Sequence, residues 1–166
     1  VLNWTIRPAV PADLEALTAL EARFPSDRLR RESWRRFVGA RSAEVWVADR
    51  AGSVAGDAVV LYRRNSRRAR LYSLVVSDRC GGQGIGRALL RACEQAARLR
   101  DCRELRLEVR PDNATALALY QTSGYRVIRR REEFYEDGSA ALLLGKTLEA
   151  ATISSVRAGN FASSYA

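Results

Sequence analysis

The sequence predicts a mixed α/β fold, one sheet with helices on both faces. Three observations predict it. Apolar stretches of strand length alternate with stretches of helical periodicity, in the order strand, two helices, three strands, helix, strand, helix, two strands. The chain has 166 residues, enough for one domain with a full core and too few for two comfortable ones. Its 47% hydrophobic and 28% charged residues are the balance of an ordinary soluble globular protein.

Taken in order, Asn3 to Arg7 reads as a short strand. Asp13 is placed to cap a helix that carries Leu14, Leu17, Leu20 and Phe24 along one side and ends at Pro25. Arg30 to Val38 continues as a second helix with Trp34, Phe37 and Val38. Glu44 to Asp49 and Ser53 to Tyr62 read as strands joined by an Arg50-Ala51-Gly52 hairpin turn. Arg63 to Arg67 is a basic turn into a third strand of this group, Ala69 to Ser77. A glycine-rich loop then opens a helix whose Ile85, Ala88, Leu89, Ala92, Cys93 and Ala96 keep the rhythm of a buried stripe. Leu105 to Arg110 is a strand, Pro111 and Asp112 start a helix through Thr122, and Gly124 stops it. Two last strands are expected around Phe134 and over Ala140 to Leu144. Residues 1–148 make the domain, and residues 149–166 read as a mobile Ser- and Ala-rich extension.

Composition excludes several chemistries. There is no histidine, so Ser-His and Cys-His nucleophile pairs are absent. Cys80, Cys93 and Cys102 have no paired spacing, so no metal site is expected. Acid–base work falls to Glu, Asp, Tyr, Cys, the single lysine, Lys146, or a terminus. The first seven residues do not read as a signal peptide, and the longest apolar run, Ala140 to Leu144, is far short of a membrane span, so a soluble cytoplasmic protein is the expectation. The net charge of +9 is almost all arginine, clustered at Arg28, Arg30, Arg31, Arg35 and Arg36, at Arg63, Arg64, Arg67, Arg68 and Arg70, and at Arg129 to Arg131. Two readings stay open: attraction to nucleic acid, ribosomes or a polyanionic cofactor, and solvated faces in a codon-biased chain.

The loop Gly81-Gly82-Gln83-Gly84-Ile85-Gly86 lies between a strand and a helix. Unpaired N–H groups at the helix start point along its positive dipole end, and glycines let a phosphate approach. Three ligands compete. A dinucleotide fingerprint fails on spacing, because its last glycine would fall on Arg87. A nucleotide-triphosphate loop fits from Gly81 to Ala88 but lacks the Lys and the hydroxyl that its chemistry needs. A third ligand enters only with the family resemblance, and a structural turn that holds no ligand stays open beside these readings.

Downstream, Leu105-Arg106-Leu107-Glu108-Val109-Arg110 alternates apolar and charged residues, where a covered central strand should be apolar on both faces. The strand is either an edge with a wet face or the wall of a cleft; cross-strand ion pairing alone would also account for it. Asn113, Ala116, Leu117 and Tyr120 share one helical face just after it.

These segments resemble one family. Val75-Val76-Ser77 leading to Gly82-Gln83-Gly84-Ile85-Gly86-Arg87-Ala88 is similar to the central motif of the GNAT acyltransferases, with Gly81 standing where that motif has Arg or Gln. The run from Leu107-Glu108-Val109-Arg110 through Asn113 and Leu119-Tyr120 to Gly124-Tyr125 resembles the family's second segment. More narrowly, with Phe134-Tyr135-Glu136-Asp137-Gly138 and the opening Ile6-Arg7-Pro8-Ala9, it resembles the RimI-type ribosomal-protein N-terminal acetyltransferases over residues 4 to 148. The resemblance implies a single GNAT-like domain, a mixed and mostly antiparallel sheet of about seven strands. It implies acetyl-CoA as co-substrate, held by Val75, Val76, Gly81, Gly82, Gln83, Gly84, Ile85, Gly86, Arg87, Asn113 and Tyr120. It implies Glu108 as the base, Tyr120 as the acid for the leaving thiolate, and the Val76 N–H as donor to the carbonyl oxygen. Phe24, Glu108 and Tyr135 fall on the acceptor side. The acceptor it favours is a protein N-terminal α-amine, with ribosomal proteins among the partners; lysine side chains, small amines and a non-catalytic coenzyme- or ribosome-binding module stay open. So do nucleic-acid contact through the arginines and the choice of monomer or homodimer.

Overall fold

The structure is a computed structural model and describes residues 3–24 and 31–151. Pro25, Arg28, Arg30 and the extension from residue 152 onward lie outside the described residues. Seven strands form one sheet: β1 (Thr5–Pro8), β2 (Ala43–Arg50), β3 (Ser53–Tyr62), β4 (Arg68–Val76), β5 (Glu104–Val109), β6 (Arg126–Arg131) and β7 (Ala141–Thr147). Among the described residues four α-helices accompany them: α1 (Leu14–Glu21), α2 (Arg31–Phe37), α3 (Ile85–Leu99) and α4 (Ala114–Thr122). The sheet order is β1-β2-β3-β4-β5-β7-β6. Every pair is antiparallel except β4 and β5, which run parallel because α3 carries the chain back between them.

That parallel pair shapes the molecule. β4 and β5 are in register only over Arg68↔Glu104, Ala69↔Leu105 and Arg70↔Arg106. Beyond Arg70, β4 continues six residues to Val76 with no strand partner on that side among the described residues, so the two strands part into a V.

Two cores hold the sheet. On one face α3 lays down Ile85, Leu89, Leu90, Cys93 and Ala97 against Ala58, Val60, Leu71, Leu105 and Leu107. Each such leucine contributes about 1.5–3 kcal/mol by leaving water. On the other face Leu17 of α1 and Trp34 of α2 close over Val45, Val47 and Val59. A buried polar network ties the far half to α3: Glu94 accepts from the Tyr125 hydroxyl at 3.0 Å and from Lys146 Nζ at 3.0 Å. The β2–β3 turn is tight because Ala51 (φ 50) and Gly52 (φ 85) both take the left-handed conformation that matches strand twist.

The element order agrees with the expectation, and four local expectations need correction. Asp13 does not cap α1 through its side chain. Its carboxylate accepts instead from both Arg7 Nη atoms (2.8 and 2.9 Å) and from the Val10 N–H (2.8 Å), and the Arg7 fork holds it below the usual carboxylate range. α1 stops at Glu21, so Phe24 follows the helix and is not part of it. α4 starts at Ala114, because Asn113 caps it by accepting from the Ala116 N–H at 3.1 Å; Pro111 and Asp112 lie in the preceding turn. The strand expected around Phe134 lies earlier, at β6, where the arginines mask the strand-forming Val127 and Ile128; Phe134 sits in the β6–β7 connection. Among the described residues no helix is long and apolar enough to cross a membrane.

Candidate functional site

The V between β4 and β5 opens into a cleft of about 430 Å³. Strand β5 is flanked by β4 and β7, so its charged residues do not mark a sheet edge. Its alternation splits cleanly: Leu105, Leu107 and Val109 enter the core under α3, while Glu104, Arg106 and Glu108 take the other face. Glu108 lines the cleft, and both readings of this strand meet in it, since it is also ion-paired across strands. Its Oε2 accepts from Arg70 Nε at 3.0 Å, and its Oε1 lies 3.7 Å from Arg131 Nη1.

Helix α4 supplies the opposite wall. Asn113, Ala116 and Tyr120, three and seven residues apart, all line the cleft; Leu117 from the same stretch does not. Tyr120 is 7% exposed, with its ring edge-on to Tyr125 at 5.8 Å. Burial pushes the Tyr120 phenol up, so it keeps its proton at neutral pH, the state a proton donor needs. Asn113 spends its side-chain oxygen on the helix cap, a role the sequence reading did not assign to it.

Just past β4, the Ser77 N–H bonds to Ala55 O at 2.8 Å, toward β3. Successive residues of a strand point their N–H groups to opposite sides, so the Val76 N–H points away from β3, into the V. Among the described residues no strand meets it there. Val75 lines the cleft. Tyr72 adds a bulge: Val59 pairs Ser73 and Val60 pairs Leu71, so Tyr72 has no opposite residue, and its ring borders the cleft.

The glycine loop follows β4 directly. Gly82 (φ 75) and Gly84 (φ 80) are left-handed, and a Cβ at either would meet nothing within 4 Å. The backbone conformation therefore demands glycine, while the space beside it is free for a ligand. Gly84 is the residue before the first turn of α3, whose 15 residues aim their N-terminal dipole end at that space. Ile85 is buried in the core, and Gly86 lets α3 approach Leu119 of α4, whose Cδ2 would lie 3.3 Å from a Cβ. Gly81 and Gln83 are exposed. Arg87 donates to Thr122 Oγ1 at 2.9 Å and Ser123 Oγ at 3.2 Å, fastening α3 to the end of α4.

The structure thus gathers Glu108, Tyr120, Val75, Asn113, Phe24 and Tyr135 around one cleft and sets the glycine loop beyond the far end of β4. Residues not singled out for the cleft also line it: Glu21, Arg70, Tyr72, Ser73, Arg110, Phe134 and Glu136. Glu21 is 3% exposed and accepts from Ser73 Oγ at 3.0 Å. Arg110 stacks 4.0 Å above the Tyr135 ring and pairs with Asp137 at 3.0 Å. Hydrogen bonds from Ser139, then the Arg110 pairing, bring the Asp137 carboxyl down to about 2. These contacts stiffen the β6–β7 connection that borders the cleft. Arg70 and Phe134 carried a signal as charge and aromatic neighbours of the motifs; the bulge at Tyr72 had none.

A sequence profile of the acetyltransferase (GNAT) family matches residues 12–125. The chain is similar to an uncharacterised N-acetyltransferase of Methanocaldococcus jannaschii, 35% identical over 102 residues, which are 61% of this chain and 64% of that protein. It is similar to an N-alpha-acetyltransferase of Sulfurisphaera tokodaii, 31% identical over 83 residues, 49% of this chain and 50% of that one. The match thus spans less than two thirds of either relative's length. Among solved structures, the ribosomal-protein-S18-alanine N-acetyltransferase of Escherichia coli superposes with a TM-score of 0.78 at 25% identity, covering 90% of this chain and 97% of that one.

Proposed function

The chain belongs to the acetyltransferase (GNAT) family, and from that premise we propose that it transfers an acetyl group from acetyl-CoA to a protein N-terminal α-amine. The observation that carries the reading is the V itself. It leaves an unpaired β4 edge, with the Val76 N–H pointing in, between a carboxylate and a proton-bearing phenol.

The residues suit coenzyme A. The open space beside Gly82 and Gly84, at the start of α3, fits a pyrophosphate, and the free edge of β4 offers backbone groups to an amide-bearing arm. Bound there, acetyl-CoA supplies an activated acetyl thioester. Glu108 takes the proton from the acceptor ammonium, directly or through one water. At pH 7 freeing an α-amine of its proton costs about 1 kcal/mol and a lysine amine about 5, so the α-amine asks less of this base. The Val76 N–H donates to the carbonyl oxygen as negative charge develops on it. Tyr120 donates its proton to the leaving sulfur. Phe24 and Tyr135 border the acceptor's path, and Arg70 keeps the Glu108 carboxylate turned into the cleft.

The names of two relatives support an α-amine: one is an N-alpha-acetyltransferase, and another acts on the alanine of ribosomal protein S18. A ribosomal-protein terminus is accordingly the acceptor we favour. Release of free thiol from acetyl-CoA tests the reading. Release should begin when a peptide with a free N-terminus is added and stay at background when that terminus is blocked; equal release with both peptides would sink it.

A further inference from the structure

The turn of the β3–β4 hairpin, residues 63–67, lies at the closed end of the V, and none of its residues lines the cleft. Every residue from 63 to 68 is exposed, and four of the six are arginines. The hairpin borders a concave pocket of about 560 Å³, lined by Tyr62, Arg63, Asn65, Ser66, Arg67 and by Arg100 and Asp101 just past α3. Arg100 lies 4.0 Å above the Tyr62 ring, and Arg103 joins the cluster through the backbone bond of its N–H to Arg67 O at 2.7 Å.

The local carboxylates do not balance this charge. Asp101 is shared by Arg67 at 3.2 Å and Arg103 at 2.7 Å. Glu104 takes Arg68 at 2.9 Å, and Glu44 takes Arg100 at 2.7 Å. Arg63 and Arg64 have no ion pair among the described residues. From Arg68 to Val76 the strand covers about 25 Å at ~3.3 Å per residue, so this surface is separate from the glycine-loop anion site.

We infer that the β3–β4 hairpin, with Arg63, Arg64, Arg67 and Arg100, is a docking surface for the phosphodiester backbone of a nucleic acid. Guanidinium forks pair two-pronged with phosphate oxygens, and Asn65 and Ser66 add the neutral donors that set a backbone's register. The arginines come from both the β3–β4 turn and the α3–β5 turn, so they offer several separate forks, which suit a chain of phosphates better than one phosphate.

Binding of a labelled RNA hairpin, followed by fluorescence anisotropy from about 50 to 300 mM salt, tests it. Each phosphate contact contributes a slope of about −0.7 to −0.9 in log affinity against log salt. The triple variant Arg63→Ala/Arg64→Ala/Arg67→Ala should weaken binding at least tenfold near 100 mM salt and flatten the slope by about 2. Acetyl transfer to a free peptide should not change. Arg126→Ala/Arg129→Ala/Arg130→Ala, on the exposed edge strand β6, removes the same charge and should cost less than threefold. Three results overturn the inference: equal losses in both triple variants, no RNA binding by the wild type at low salt, or equally tight binding of a glutamate-rich peptide.

Discussion

At Glu108, substitution by Gln keeps the side chain's length and its bond from Arg70 but removes its affinity for a proton. Glu108→Gln should lower kcat by about 10²–10⁴-fold at neutral pH and leave acetyl-CoA affinity within about twofold; unchanged turnover would remove Glu108 as the base. Tyr120→Phe keeps the buried ring and its edge-on contact with Tyr125. It should cost at least about tenfold in kcat and no more than about 1 kcal/mol in stability, checked by initial rates and by urea unfolding. Full rate would leave Tyr120 a packing residue. Asp57 poses a different question. It is fully buried on β3, and neither of its oxygens has a partner among the described residues. Burial, then the nearby Glu21 charge, raises its carboxyl well above the usual range. The folded state therefore holds a proton that the unfolded chain releases above about pH 4, so Asp57 makes stability fall as pH rises from there, by up to about 1.4 kcal/mol per pH unit. Asn cannot titrate, so the stability of Asp57→Asn relative to wild type should climb between pH 4.5 and 7.5. Parallel urea-unfolding profiles across that window would show that Asp57 ionises as an ordinary surface carboxyl does.

At the scale of elements, the glycine loop joins a backbone requirement to a binding one. Gly84→Val places a branched side chain at φ 80 and fills the open space at the start of α3. It should cost about 1–3 kcal/mol in stability and weaken acetyl-CoA at least tenfold by calorimetric titration. Retained affinity would place the pyrophosphate elsewhere. The order of all eleven strands and helices was legible because apolar period and turn residues agree along most of the chain. The polar alternation of β5 was legible as an anomaly, but only the parting of β4 from β5 shows that it faces a cleft. Boundaries failed where side-chain chemistry competed with periodicity: Asn113 caps α4, which starts at Ala114, three residues after the Pro111 that reads as its start, and Asp13 went to Arg7. The Tyr72 bulge and the place of Glu21 beside Ser73 depend on strand register and long-range packing, which periodicity does not encode.

Across the whole molecule, Lys146 on β7 reaches Glu94 on α3, joining the half of the sheet beyond the V to the half that carries the glycine loop. Lys146→Met leaves the buried Glu94 carboxylate with Tyr125 and a distant Arg98 at 3.8 Å. Loss of about 2–4 kcal/mol should follow, which for a chain of this size lowers Tm by roughly 5–15 °C in a thermal melt. An unchanged Tm would mean that the two halves hold together without the pair. The placement of an acetyl group on one amine bears most directly on the account as a whole. The protein should be incubated with acetyl-CoA and a peptide that carries both a free α-amine and an internal lysine, and the product sequenced by tandem mass spectrometry. One acetyl group on the α-amine, in proportion to the thiol released, is the predicted result. Acetyl on the lysine alone, or no transfer while acetyl-CoA still binds, would contradict it.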